Sequence, residues 1–340
     1  MADLVKNNHK AISIWLIICL LLVTAMVFVG GYTRLSGSGL SITEWKPIHG
    51  VIPPLSMAEW EEEFTAYRAS PQYLKINKGM SLDEFKTIFW PEFWHRILGR
   101  IIGAVFIVPL LFFAIRRSIS KRFGLRLTGI FALGGLQGFI GWFMVASGLI
   151  DNPHVSHLRL ALHLSLAFLI FALILWALLD IHNKSPKAPH TTKHSLYKGW
   201  FVLLCTQIII GAFVAGQHAG LIYNTWPTMN GQWLPSELWS GETWHENLAL
   251  IQFIHRKIAI FLAVSFIFWW FLYSAYVKNN HLGKAVLGIG FTLFLQFALG
   301  VATLLWQVPL WLALAHQMTA LLLFAFAVNL LHKLSRSKAQ

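Results

Sequence analysis

Eight long apolar stretches constrain the fold of this 340-residue chain more than any other feature. A helix needs about 20 mostly apolar residues to cross roughly 30 Å of hydrocarbon, and each stretch is long enough to do so. The predicted spans cover residues 11–31, 93–115, 126–149, 158–180, 199–219, 249–277, 285–306 and 310–331. Only 12% of the residues are charged, whereas soluble domains carry about 25%. The sequence therefore predicts an all-α, polytopic membrane protein and excludes a water-soluble globular fold.

The distribution of basic residues predicts how the spans are oriented. Membrane proteins keep an excess of Lys and Arg in their short cytoplasmic connections. Sixteen such residues lie in the two termini and in the connections after the second, fourth and sixth spans, with only Asp3 and Asp180 beside them. Both termini are therefore predicted to be cytoplasmic, and loops 32–91 and 220–248 to face outward. The net charge of +13 then reflects topology and not nucleic-acid binding.

The outer loop 32–91 has one recognisable element. Residues 59–68 have the pattern of a short amphipathic helix. We expect this loop to lie on the outer surface of the protein and not to form a domain of its own.

The second half of the chain repeats features of the first half in the same order. The matched residues are Gly30 with Gly211, His95 with His255, Gln137 with Gln296, Gly141 with Gly300, and His163 with His316. Chance similarity among apolar helices is the alternative, and several ordered matches argue against it. We predict two four-helix bundles, residues 1–183 and 198–340, related by a pseudo-two-fold axis along the membrane normal.

Four of the repeated residues are histidines inside predicted spans, where ionisable residues are costly and usually functional. Each half contributes one pair, His95 with His163 and His255 with His316. Two imidazoles facing each other across an apolar bundle suit axial ligation of haem iron. Zinc would need three or four ligands, and each half repeats only a pair. The alternative is that each histidine simply hydrogen-bonds to a neighbouring helix.

Basic side chains lie near the predicted outer ends of the same spans. They are candidates to position a haem by pairing with its propionates: Arg34, Arg96, Arg100, Arg159, Arg256 and Lys257.

The halves differ beside their first histidine. Glu92 precedes His95 by three residues, whereas Gln252 occupies the equivalent position before His255. On a helix this spacing puts both side chains on one face. The difference predicts chemistry in the first half and a permanent, electron-transferring haem in the second. The alternative is that Glu92 only stabilises a helix N-terminus or pairs with Arg96 four residues later.

Over nearly its full length the chain resembles the haem A synthase family. The resemblance rests on Glu-Phe-Trp-His-Arg-Ile-Leu-Gly-Arg at 92–100, Arg-Leu-Ala-Leu-His-Leu at 159–164, Gln-Phe-Ile-His-Arg at 252–256, Ala-His-Gln at 315–317 and the glycine-rich run 30–40. It implies an oxidoreductase of haem A biosynthesis that oxidises a ring methyl of haem O to a formyl group by successive hydroxylation. Its fold would be two four-helix halves in pseudo-two-fold relation.

The same resemblance implies roles for individual residues. His95 and His163 would hold the substrate haem O, and Glu92 would be the catalytic residue beside the reacting methyl. His255 and His316 would ligate the iron of a haem b cofactor.

The resemblance also implies a setting for the protein. The two cysteines, Cys19 and Cys205, lie within apolar runs, so the chain resembles the branch without cysteine pairs in the outer loops. A bacterial inner membrane is expected, with the haem sites near the periplasmic side. The implied partners are membrane lipid, a haem O synthase, and a ferredoxin-like or other electron donor, and homo-oligomerisation is left open.

Two other functions are compatible with paired histidines in a membrane protein. The first is a dihaem b-type membrane electron carrier without chemistry of its own, which would gain nothing from Glu92. The second is a haem or quinone transporter, which would have little use for rigid histidine pairs.

Overall fold

A computed structural model describes residues 5, 8–44, 50–148, 155–182, 192–278 and 282–335. Every regular element in these ranges is helical, and none of the described residues forms a β-strand. The α-helices are α1 (His9–Leu35), α2 (Met57–Arg68), α3 (Pro71–Lys75), α4 (Leu82–Ile115), α5 (Lys121–Gly148), α6 (His157–His182), α7 (Thr192–Gly216), α8 (Leu248–Lys278), α9 (Gly283–Leu305) and α10 (Leu310–Ser335).

Eight of these helices, α1 and α4 to α10, are long and apolar enough to cross a membrane. They coincide with the eight predicted spans, so the prediction of an all-α polytopic membrane protein is confirmed. The pseudo-two-fold relation of two bundles and the cytoplasmic position of the termini stay predictions.

Helix α4 begins eleven residues before the predicted span at 93–115. The Ser81 side chain accepts a hydrogen bond from the Glu84 backbone N–H, and the Glu84 carboxylate bonds back to the Ser81 backbone. This capping box satisfies two backbone donors that the first helical turn leaves unpaired. Helix α4 therefore includes the last part of the segment that the sequence assigned to the outer loop.

The predicted amphipathic helix at 59–68 is confirmed as α2, which begins at a second capping box formed by Ser56 and Glu59. Its buried Phe64 and Tyr67 pack on Phe85 of α4, with ring centroids 5.2 and 5.1 Å away. These rings form one apolar cluster with the first turns of α4. Burial of aromatic surface thus attaches this part of the loop to the helix that carries His95.

The chain divides into two compact units, Met1–Phe171 and Ala172–Gln340. In the first unit α4 packs against both α1 and α5. In the second unit α7 packs against α8 and α10, and α9 packs against α8 and α10. Helices α4, α8 and α10, which carry three of the four candidate histidines, are thus held by neighbours within their own unit.

Candidate functional site

Each unit contains two of the four histidines predicted to act together. In the first unit His95 lies on α4 and His163 on α6. In the second unit His255 lies on α8 and His316 on α10. All four side chains are partly buried. The structure therefore places both members of each predicted pair in the same unit.

A glycine on the neighbouring helix faces each of the four histidine rings. The pairs are Gly30 with His95, Gly141 with His163, Gly211 with His255, and Gly300 with His316. A Cβ atom built on these glycines would lie only 2.9 to 3.2 Å from the nearest ring atom. Any larger residue would displace the ring, so the glycines fix where the imidazoles can lie. The repeat found in the sequence thus has the same local geometry in both units.

The ring of His316 has the hydrogen-bonding pattern of a metal ligand. Its Nδ1 lies 3.1 Å from the backbone oxygen of Gln296, which can only accept, so Nδ1 carries the proton. Its Nε2 lies 3.2 Å from the side-chain amide nitrogen of Gln296, which can only donate. The ring's lone pair is then on Nε2, where it accepts from Gln296 and where a metal would bind in place of this amide. A backbone carbonyl orients the ring, as is usual for ligating histidines.

Two of the other three rings also have polar atoms that suit a ligand. In the described part of the chain, the buried Nδ1 atoms of His163 and His255 have no hydrogen-bond partner. Buried polar atoms rarely stay unpaired, and each such case calls for an explanation. The ring nitrogens of each histidine pair thus suit a group that binds between two imidazoles.

Three glutamines lie one turn before three of these glycines. The Gln137 side chain donates to the backbone oxygen of His163 at 3.1 Å. The Gln207 side chain donates to the backbone oxygen of His255 at 3.0 Å. Sequence reasoning missed Gln207, although Gln207-x-x-x-Gly211 repeats the spacing at 137–141 and 296–300. At the fourth position, before Gly30, the residue is Met26. His95 therefore lacks the glutamine that accompanies each of the other three histidines.

The described residues do not support a metal site with three or more protein ligands. Within them, no group of three or more His, Cys, Asp or Glu side chains is placed to hold a metal ion. Each unit offers a pair of imidazoles, which is the number that a haem iron takes as axial ligands.

The Glu92 side chain is buried, with 3% of its surface exposed, and both of its oxygens accept hydrogen bonds. Oε2 accepts from the backbone N–H and hydroxyl of Ser41, both at 2.7 Å, and from the N–H of Ile42 at 3.0 Å. Oε1 accepts from Arg96 at 2.7 Å. The ion pair that the sequence left as an alternative role for Glu92 is therefore present. Sequence reasoning missed Ser41, because a contact across 51 residues leaves no local pattern.

Gln252 holds the corresponding loop of the second unit in a different way. Its amide nitrogen donates to the carbonyls of Ala219 and Tyr223 at 2.9 and 3.2 Å. Its oxygen accepts from Arg256 at 3.1 Å. Both side chains thus hold a loop in place. Glu92 accepts hydrogen bonds from N–H and hydroxyl groups of its loop, whereas the Gln252 amide donates to carbonyl oxygens of its loop. A carboxylate at position 252 would face two carbonyl oxygens and could not donate to them. The difference between Glu92 and Gln252 therefore matches the hydrogen-bonding groups that each loop presents.

Two of the six predicted cations are occupied with loop carbonyls. Arg96 donates to the carbonyls of Ile42 and Glu44 at 2.9 and 3.1 Å. Arg256, which is 8% exposed, donates to the carbonyls of Tyr223, Thr225 and Thr228. These arginines stabilise the loops above their histidines, a role that the sequence did not indicate.

The remaining predicted cations have other surroundings. Arg159 donates to the carbonyl of Phe143 at 3.2 Å and its guanidinium carbon lies 4.0 Å from the centre of that ring. Lys257 lies over the ring of Phe253 at 4.9 Å. Arg34 and Arg100 are both half-buried, and Arg100 follows Arg96 by one turn on α4. Their assignment to haem propionates stays a prediction.

Known proteins are similar in sequence to this chain over most of its length. The sequence model of the COX15-CtaA family, described as "Cytochrome oxidase assembly protein", matches residues 13–328. A protein of Nitrosospira multiformis named "Heme A synthase" is 47% identical over 336 residues, which are 96% of this chain and 94% of that relative. Proteins of the same name from Agrobacterium fabrum and Nitrosomonas eutropha are 48% and 45% identical. They cover 95% and 98% of this chain, and 90% and 97% of the relatives.

Proposed function

We propose that this chain, which belongs to the COX15-CtaA family of cytochrome oxidase assembly proteins, is an oxidoreductase that converts haem O to haem A. The reaction oxidises a ring methyl to a formyl group by successive hydroxylation. The observation that carries the proposal is the pair of histidines, each facing a glycine, in each of two units. The name shared by relatives that align over nearly the whole chain supports the substrate.

The two halves, 1–183 and 198–340, are assigned different haems. His95 and His163 hold haem O as substrate, and His255 and His316 hold haem b as resident cofactor. Haem b, when bound, supplies one-electron transfer. Two differences between the units support this division. Position 92 is a carboxylate where its counterpart is an amide, and Met26 stands where the second unit has Gln207.

Glu92 is the residue to which we assign proton handling at the reacting methyl. Its Oε2 is fully used by Ser41 and Ile42. Oε1 accepts only from Arg96 among the described residues, and a carboxylate oxygen can accept two hydrogen bonds. The second acceptor position on Oε1 is where a proton or a substrate hydroxyl would bind. The Arg96 guanidinium holds this oxygen in place.

The setting of the reaction is proposed together with it. The protein lies in the inner membrane of a bacterium with its haem sites near the periplasmic side. A haem O synthase supplies the substrate, and a ferredoxin-like or other donor supplies the electrons. Arg34, Arg100, Arg159 and Lys257 contact the propionates.

A turnover assay tests the proposal. The purified protein is supplied with haem O, a reductant and oxygen, and the haems are then separated by chromatography. We expect hydroxylated haem O to appear first and haem A later. A dihaem electron carrier would return haem O unchanged while its own haem is reduced and reoxidised, and this result would refute the proposed activity.

The glycine below His163 gives a prediction that does not depend on turnover. Replacing Gly141 with Ala puts a Cβ 3.0 Å from the ring and must shift His163. Overpacking of this kind costs about 1–3 kcal/mol, so we expect haem O to bind roughly tenfold more weakly. The control is Gly138→Ala on the same helix, where a Cβ meets nothing within 4 Å. Spectral titration with haem O measures both variants, and equal affinities would show that the ring position is not constrained by Gly141.

A further inference from the structure

A second candidate site lies away from the histidines, between α4 and α5. A cavity of about 520 Å³ opens at the end of this helix pair where the chain passes from Ile115 to Lys121. This volume is within the range of roughly 300–1,000 Å³ that is usual for small-molecule sites. The haem proposal makes no use of the cavity. We propose that it binds one anionic phospholipid, with the phosphate between Arg117 and Lys121 and an acyl chain along the apolar wall.

The wall of the cavity has the chemistry of a hydrocarbon-binding surface. It is formed by Ile107, Leu110 and Leu111 of α4 and by Leu125 of α5. Leu111 and Leu125 are 53% and 63% exposed, although both belong to membrane-spanning helices. Apolar side chains that face out of a span contact lipid chains. An acyl chain bound here would therefore give this surface the same hydrocarbon environment as the rest of the span.

The mouth of the cavity is positively charged. Arg117 and Lys121 both line it, and both side chains are exposed. Neither makes an ion pair with any other described residue. The tract 116–126 contains no acidic residue that would neutralise them. Two cations beside an apolar groove are complementary to a lipid phosphate above its own acyl chain.

The backbone at Arg117 has an unusual conformation for this residue type. Its φ of 51° lies in the left-handed region, shortly after the end of α4. Glycine is preferred at this position because residues with a Cβ are strained there. The chain nevertheless has an arginine here, and this side chain lines the mouth of the cavity.

The side of the membrane agrees with an anionic lipid. The tract 116–126 holds five of the basic residues that predict the cytoplasmic side. The cytoplasmic leaflet carries anionic lipids, and basic pockets between spans on this side bind their headgroups. A free phosphate ion would use the two cations but would leave the apolar wall uncovered.

The test is lipid binding by the full-length protein. The protein is purified into phosphatidylcholine nanodiscs, phosphatidylglycerol is titrated in, and bound lipid is counted by native mass spectrometry. We expect one phosphatidylglycerol per chain to be retained in preference to phosphatidylcholine. Each basic residue at a membrane surface contributes about fivefold to affinity, so Arg117→Gln with Lys121→Gln should weaken binding roughly thirtyfold.

Two further variants separate the site from a general charge effect. Arg122→Gln removes a charge from the same tract, but Arg122 does not line the cavity. We expect at most the roughly fivefold loss that one surface cation gives, well short of the loss in the double variant. Ala114→Phe keeps every charge and fills the apolar part of the cavity, because the exposed Ala114 lines it. It should weaken binding as strongly as the double variant. Equal binding of phosphatidylcholine, or equal losses in Arg122→Gln and in the double variant of Arg117 and Lys121, would overturn the proposal.

Discussion

Glu92→Gln is expected to stop the conversion of haem O to haem A while both haems stay bound. The substitution keeps the size of the side chain but removes the charge and replaces one of the two acceptor oxygens by an NH2 donor. Acid–base groups usually contribute about a hundredfold or more to a rate, so the loss should be at least of this size. Chromatography of the haems measures conversion, and optical spectra of the same sample measure haem retention.

A structural role of Glu92 must be separated from a chemical one, because its carboxylate also holds the loop that contains Ser41. Ser41→Ala removes the hydroxyl bond at 2.7 Å but leaves the carboxylate and its Arg96 partner. One hydrogen bond to a charged group is worth about 1.5–3 kcal/mol, and part of this is lost in the variant. We expect conversion to slow by roughly tenfold, well short of the effect of Glu92→Gln. If Ser41→Ala is as inactive as Glu92→Gln, then Glu92 acts through the loop and not on the substrate.

His255→Ala is expected to remove haem b and to reduce conversion to background, although haem O still binds at His95 and His163. The ring of His255 lies against Gly211, and its partner His316 belongs to the same unit. Loss of one axial ligand leaves His316 as the only imidazole of that pair. The resident haem should then be lost during purification, and no relay would carry electrons to the first unit.

Spectra and haem analysis of the same preparation check this prediction. The reduced spectrum should lose the contribution of haem b, whereas added haem O should still produce the spectrum of a bis-imidazole complex. Normal conversion by His255→Ala would contradict the assignment of the second unit to electron transfer.

The sequence predicted the parts of this structure that depend on local composition. Eight spans follow from apolar length, and the repeat contains the four glycines that lie against the four histidine rings. The start of α4 at Leu82 was missed, although the Ser81-x-x-Glu84 capping signal is present in the sequence. A sequence window chosen for apolar residues detects only the apolar part of a helix. It therefore does not show that α4 extends into the polar loop segment.

Contacts between distant segments could not be predicted. The pairing of Glu92 with Ser41 and the bonds from Arg256 to the carbonyls of Thr225 and Thr228 depend on how a loop folds back onto a helix. Arginine near a membrane surface suits a propionate and a carbonyl equally well. Which of the two an arginine contacts depends on the backbone geometry of the loop, and this geometry cannot be read from the spacing of residues in the sequence.

The haem stoichiometry of the purified wild-type protein tests most directly the claim that each unit clamps a different haem. The pigments are extracted and quantified against protein concentration. One haem b per chain is expected, together with haem O, haem A or a hydroxylated form in the other pair of histidines. Two haem b per chain, with none of the other three pigments, would contradict it.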